Sequence, residues 1–313
     1  MPLLGGCSGI QSALDPKGVA ARAIYEAWWV MFLGSLVILS LVMAMALYAL
    51  LKNPDHRWRI GSSTLIIGGG VALPVITITA LLTYGVQLGD RLTSPPGDAL
   101  KIEVTGKQWW WEVRYPDKES VVTANEILIP AGRAVQVELT TEDVIHSFWV
   151  PNLAGKKDLI PGKVNKLLLQ ADEPGVFRGQ CAEFCGSQHA RMAFFVIAKT
   201  PEEFERWQML QRQVSRLPVN PVLARGRDAF LSASCGECHT IRGTSARGTR
   251  GPDLTHVGSR RTIGAGMLET SADNIGIWIV DNQRIKFNDR IPAYPKLDRD
   301  TVREIATYLE SLQ

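Results

Sequence analysis

The chain has 313 residues, 46% of them hydrophobic, and 34 Lys and Arg against 31 Asp and Glu, a formal charge of +3. It is too long for one ordinary domain and too apolar over its first ninety residues to be wholly soluble, so several modules are expected. The scattered charge offers no basic face for nucleic acid, and no phosphate-binding glycine loop or hydrolase triad stands out. Five Cys, an odd number, do not form a simple disulfide framework; they sort into Cys7 alone, Cys181 with Cys185, and Cys235 with Cys238.

Residues 1–24 read as an N-terminal segment outside the cytoplasm. Cys7 follows Leu3-Leu4-Gly5-Gly6, as at the end of a bacterial lipoprotein signal, but the apolar stretch before it is too short for a signal peptide. Cys7 is therefore either the lipidation site of a truncated leader or an ordinary thiol. Within residues 25–90, Trp28 to Leu51 and Ile60 to Gly89 carry no charge, and each exceeds the ~20 residues a helix needs to cross a membrane. They predict a transmembrane hairpin. Its loop holds Lys52, Arg57 and Arg59 against Asp55, which places it in the cytoplasm and both termini outside. Pro74 and Gly68-Gly69-Gly70 in the second helix suit close packing on a larger membrane partner.

After the turn signal Ser94-Pro95-Pro96-Gly97, residues 96–200 change to short β-type runs: Leu100 to Thr105, Trp109 to Tyr115, Glu126 to Ile129, Val135 to Thr140, Lys166 to Gln170 and Phe194 to Ala198. Such spacing predicts a sandwich or small barrel. Because strand side chains alternate, Trp109, Trp110 and Trp111 cannot all face its core; at least one points outward, toward a partner or the membrane interface. Cys181-Ala182-Glu183-Phe184-Cys185-Gly186-Ser187-Gln188-His189-Ala190-Arg191-Met192 gathers soft and borderline ligands that select copper over hard cations. A disulfide would account for the two Cys alone, but not for His189 and Met192 at fixed offsets. The site needs a second imidazole, which His146 in His146-Ser147-Phe148 can supply from a strand end.

Through Cys-x-Glu-x-Cys-x-x-x-His-x-x-Met, His146-Ser147-Phe148, Ile160-Pro161-Gly162 and Gly106-Lys107-Gln108-Trp109-Trp110-Trp111, the chain resembles subunit II of cytochrome c oxidase, with its binuclear CuA centre. The resemblance implies a cupredoxin-like Greek-key fold for this all-β domain. It implies that Cys181 and Cys185 bridge two coppers, with His146 and Met192 on one and His189 and the Glu183 carbonyl on the other. It further implies that the Glu183 side chain faces a magnesium ion shared with subunit I, and that Trp109 is the residue through which electrons enter CuA. Asp158 lies either near that interface or on an exposed loop.

Residues 201–220 read as a linker helix, and residues 221–313 as a heme domain. Cys235-Gly236-Glu237-Cys238-His239 is the c-type heme pattern, with two thiols for thioether bonds and an imidazole for iron. A zinc site would require a second ligand pair nearby, and none is present. A helix over Pro221 to Ser234, the following Gly251-Pro252-Asp253-Leu254, and a terminal helix with Val302, Ile305, Tyr308, Leu309 and Leu312 at helical spacing fit an all-α class I cytochrome c. In that family a Met before Pro closes the heme. Here Ile291 precedes Pro292, leaving Met267, His256, an open sixth position or a partner's residue. Met267 reads equally as a flexible core filler.

The expected whole is a multidomain membrane protein of the bacterial cell (inner) membrane, multi-pass, with its C-terminal domains extracytoplasmic. The resemblance, to the fused form of oxidase subunit II, implies single-electron transfer from heme c to CuA and on to subunit I, where oxygen is reduced to water and protons are pumped. It implies subunits I and III and an external cytochrome c or other periplasmic donor as partners. A CuA subunit serving a nitric oxide reductase is the alternative. A copper chaperone or redox sensor would have no use for the fused heme, and a quinol-oxidising subunit II lacks the copper ligands present here.

Overall fold

The computed structural model describes residues 8–56, 61–93, 96–116, 120–292, 294 and 297–313. Cys7 and the loop residues Arg57 and Arg59 lie outside the described residues. The chain divides into two compact units: Arg22–Ser94 is one, and the N-terminal segment up to Ala21 joins residues from Pro95 onward in the other.

The first unit consists of two long helices, α1 (Val19–Leu51) and α2 (Ser62–Thr93). Their apolar side chains are exposed along the length of both, as suits a nonpolar surrounding better than water. The tract Leu65–Ala72 in α2 is π-helical. It contains the three glycines and stops just short of Pro74, which has no N–H to give the helix ladder.

The second unit begins with residues 8–21, which lie against a β-sandwich. Asn152 Nδ2 donates to the carbonyls of Gly9, Ser12 and Asp15, and the Lys17 N–H donates to the Asn152 carbonyl at 2.7 Å. The sandwich strands are β1 (Leu100–Lys107), β2 (Trp110–Tyr115), β3 (Val121–Ala124), β4 (Glu126–Pro130), β5 (Val135–Thr141), β6 (His146–Trp149), β7 (Lys157–Leu159), β8 (Asn165–Leu169), β9 (Gly175–Cys181) and β10 (Ala193–Lys199). One sheet runs β3-β2-β1-β5-β8 and the other β4-β10-β9-β6-β7, with β1–β5 and β4–β10 paired in parallel and the other neighbours antiparallel among the described residues. Ile102 and Val104 of β1, Trp111 and Val113 of β2 and Val137 and Leu139 of β5 point inward. They meet Ile127, Ile129, Phe148, Phe194 and Val196 from the other sheet.

Trp111 is wholly buried, edge-on to Phe148 and Phe194, while Trp110 is half exposed beneath the Lys107 ammonium. The alternation demanded of the Trp run is therefore observed, but Trp109, before β2 begins, is buried too.

Helix α3 (Pro201–Arg212) starts with a capping box between Thr200 and Glu203 and lays Phe204 and Trp207 on Tyr115. Three further helices, α4 (Pro221–Ser232), α5 (Ala272–Ile285) and α6 (Arg299–Glu310), are capped by Asn220, Ser271 and Asp298. They enclose Phe230, Ile275, Ile305, Tyr308 and Leu309, and a short hairpin, β11 (Thr262–Ile263) with β12 (Leu268–Glu269), closes one side. The helical domain rests on the sandwich. Glu126 Oε1 accepts the N–H groups of Arg261 and Thr262 at 2.7 and 3.1 Å, and the Ala193 N–H donates to the Ala265 carbonyl.

Candidate copper and heme sites

The register of β6 against β9 pairs Phe148 with Cys181 and brings His146, at the head of β6, beside the last residue of β9. The loop from Ala182 then turns through a short 3₁₀ segment, His189–Arg191, and is closed by the Cys181 N–H donating to the Met192 carbonyl. Three expected ligand side chains, His146, His189 and Met192, thereby converge on Cys181 and Cys185. The two sulfurs are 3.8 Å apart; His146 Nδ1 is 3.8 Å from Cys181 Sγ; His189 Nδ1 and Met192 Sδ lie 3.7 and 3.8 Å from Cys185 Sγ. The Glu183 carbonyl oxygen is 3.2 Å from Cys181 Sγ.

Donors each about 2.0–2.3 Å from a tetrahedral metal lie about 3.3–3.8 Å from one another, so this set has the spacing of a metal cage. Both thiols are free, and with His146 they are buried. Soft sulfur and imidazole donors at that spacing fit copper. The Glu183 side chain points outward and Phe184 is largely exposed.

The electrostatics favour one thiolate of the pair: the hydrogen bond shared with Cys185, helped by His146 and main-chain groups, holds the Cys181 thiol well below its ordinary range against the opposing effect of burial, while Cys185, the partner that keeps the proton, is pushed up. Burial opposes charge on His146, yet its contacts with Cys181 and Asp143 raise it overall. His146 Nε2 lies 2.9 Å from Asp143 Oδ1, which with the ring proton placed there leaves Nδ1 facing the sulfurs. Asp143 was not singled out from sequence, although its position three residues before His146 was the available signal.

The second site is a cavity of about 470 Å³ walled by Cys235, Cys238 and His239 on one side and by Ile291, Pro292 and Tyr294 among others. Burial lowers the affinity of His239 for a second proton, and its Nδ1 donates to the Pro252 carbonyl at 2.8 Å, leaving Nε2 for iron. Gly251 permits that approach, since a Cβ there would sit 2.5 Å from the imidazole Cε1. Two thiols, a neutral imidazole and a cavity lined by Phe230, Leu254, Ile275 and Leu309 with charged residues among them fit a covalently attached heme.

Neither in-chain candidate for a sixth ligand reaches the cavity wall. His256 turns its Nε2 to the Gln213 carbonyl, 3.0 Å away, and Met267 lies in the β11–β12 turn, beyond Gly266, which abuts Ala193 of the sandwich. Ile291 does line the cavity. Asp158 is half-buried in β7, opposite Ser147.

Trp109 belongs to both sites. It forms part of the heme-cavity wall, and its indole N–H donates to the Cys185 carbonyl at 2.9 Å. Fold and sites together define a membrane protein that carries a cupredoxin-like domain with a soft-metal cage and a helical cytochrome c domain.

Residues 120–199 match the family described as cytochrome c oxidase subunit II, periplasmic domain, and residues 223–313 match cytochrome c. Cytochrome c oxidase subunit 2 of Alkalihalophilus pseudofirmus is 36% identical, the alignment covering 99% of this chain and 94% of that one. The protein of the same name from Bacillus subtilis is 29% identical over the same shares. Among solved structures, the periplasmic domain of oxidase subunit II from Bradyrhizobium japonicum is 33% identical, covering 38% of this chain and 97% of that one, with a TM-score of 0.37. The chain belongs to the cytochrome c oxidase subunit II family, and is thus a component of a heme-copper oxidoreductase carrying a cytochrome c domain.

Proposed function

We propose that this chain passes single electrons from a c-type heme to a binuclear copper centre and on to subunit I of a terminal oxidase, where oxygen is reduced to water. The observation that carries the reading is Trp109, walling the heme cavity while bonded to the main chain of Cys185. Cys181, Cys185, His146, His189, Met192 and the Glu183 carbonyl would hold the copper pair; Cys235, Cys238 and His239 would hold the heme. Bound there, the two groups supply one-electron carriers. The chain supplies sandwich loops on a rigid scaffold and a buried indole between the sites. The outward Glu183 carboxylate suits a magnesium ion at the interface with subunit I. Subunits I and III and an external cytochrome c or other periplasmic donor are the partners this reading requires. The helices α1 and α2 would cross the bacterial inner membrane, leaving the other unit outside.

The test is rapid mixing of the purified native complex with reduced cytochrome c. Heme c should be reduced first and the copper absorbance should follow, with turnover on oxygen. Turnover on nitric oxide in place of oxygen would replace the terminal acceptor, and copper reduction independent of heme c would sink the reading.

A further inference from the structure

Lys286, at the end of α5, is 2% exposed, and nothing in the heme or copper ligand sets uses it. Its ammonium donates to the Trp109 carbonyl at 2.8 Å across the domain junction and to the Gly264 carbonyl at 3.4 Å within its own domain. Its side chain also lines the heme cavity. Burial lowers its proton affinity to about 8. A buried ammonium is costly where an apolar side chain would pack at no such cost. What the ammonium alone can provide is a strong donor to a main-chain oxygen of the neighbouring domain.

That oxygen is well placed. Trp109 and Gln108 both donate to the Cys185 carbonyl, from the indole at 2.9 Å and from Nε2 at 2.8 Å. On their other side both are gripped by cations of the heme domain, Trp109 by Lys286 and Gln108 Oε1 by Arg290 at 2.5 Å. The pair is thus clamped between the heme loop and a copper-loop carbonyl. Domain docking does not depend on Lys286: Glu126 accepts the Arg261 and Thr262 N–H groups, and Gln188 and Arg191 donate to the carbonyls of Phe287 and Ile285 on either side of it.

Building on the electron route proposed above, we propose that Lys286 is a positioning residue for transfer between the two domains, fixing Trp109 between the heme cavity and Cys185. Lys286 belongs to neither proposed ligand set, and it acts through Trp109, whose carbonyl it binds.

The experiment uses the full chain in its complex, comparing wild type with Lys286→Met and Lys286→Gln. Three quantities are read: heme-to-copper electron exchange after photochemical injection of one electron, the copper EPR spectrum, and hydrogen exchange of the amides. Lys286→Met should keep both cofactors and the protection of the Arg261 and Thr262 amides, lose protection around Trp109, and slow exchange roughly tenfold, below the ~10²-fold that a misplacement of about 1 Å can cost. Lys286→Gln, which keeps a donor, should fall between Met and wild type. A Met variant within about twofold of the wild-type rate overturns the proposal, since such a change is too small to separate from non-specific coupling. So does loss of protection at Arg261 and Thr262, which would make Lys286 a docking contact, or loss of either cofactor in both variants, which would make it a folding residue. Absence of any heme-to-copper exchange in the wild type would instead defeat the electron route itself, and leave Lys286 without the role proposed here.

Discussion

Cys181 and Cys185 face each other at 3.8 Å without forming a disulfide, in a pocket whose other donors are imidazole and thioether. No other buried sulfur among the described residues sits where it could replace a bridging thiolate, because Met192 offers a neutral thioether only. In Cys185→Ser the chain should bind less than two coppers and lose the mixed-valence EPR pattern; a retained seven-line spectrum would exclude Cys185 as a bridge. Ile291 is the second diagnostic residue. It lines the heme cavity where a thioether is usual, and an aliphatic side chain cannot bind iron. Ile291→Met should raise the heme midpoint potential and introduce the ferric charge-transfer band of thioether ligation, checked by redox titration and absorption. An unchanged potential and spectrum would show that position 291 does not address the iron. At this scale the ligand motifs were legible because metal chemistry restricts residue type and spacing. Lys286, Arg290 and Glu126 were not, since nothing in a lone Lys or Glu announces that it will be buried against another domain. Met267 has a side-chain type suited to iron, but it lies in the β11–β12 turn and is not among the residues that wall the cavity.

Elements were easier to foresee than their contacts. Short β-type runs marked β1, β2, β4, β5, β8 and β10, and Pro221 opened the first helix of the heme domain, but β3 and β7 are too brief for a pattern to develop, β9 is interrupted by Gly175 and Gly179, and α5 was not among the predicted helices. The π-helical tract of α2 was equally hidden: three glycines and a proline signalled trouble in the helix without saying which form it would take. Helix crossing can be tested at Gly226, where α4 meets α6. A Cβ there would lie 2.1 Å from the Glu304 carbonyl oxygen and 2.8 Å from Tyr308 Cβ, so the helices must part to admit it. Gly226→Ala should therefore cost about 1–3 kcal/mol. For a domain of this size that corresponds to a fall in melting temperature of roughly 4–8 °C per kcal/mol. Calorimetry or heme absorbance against temperature would read it, and an unchanged transition would mean that the α4–α6 contact is looser than the structure has it.

The whole molecule poses a question of sidedness that its N-terminal segment helps to answer. Asn152 binds three carbonyls between Gly9 and Asp15, Lys17 returns a bond to Asn152, and the Asp172 N–H donates to Lys17, so the approach to α1 is fastened to the sandwich. The chain leaves that unit through α1 and re-enters it after α2, and each helix is long and apolar enough to cross a membrane once. Two crossings bring the chain back to the side it left, which agrees with a pinned N-terminal segment, whereas one crossing would tear residues 8–21 from their partners. On the two-crossing topology proposed above, the loop between the helices, with Lys52, Arg57 and Arg59 against Asp55, would lie on the cytoplasmic face. Protease added to intact cells stripped of any outer barrier should release the heme domain by cutting exposed backbone such as that around Val219, and should leave the Lys52–Arg59 loop intact. Cleavage confined to that loop, with the heme domain protected until the membrane is opened, would reverse the orientation and with it the side from which a soluble donor could reach the heme.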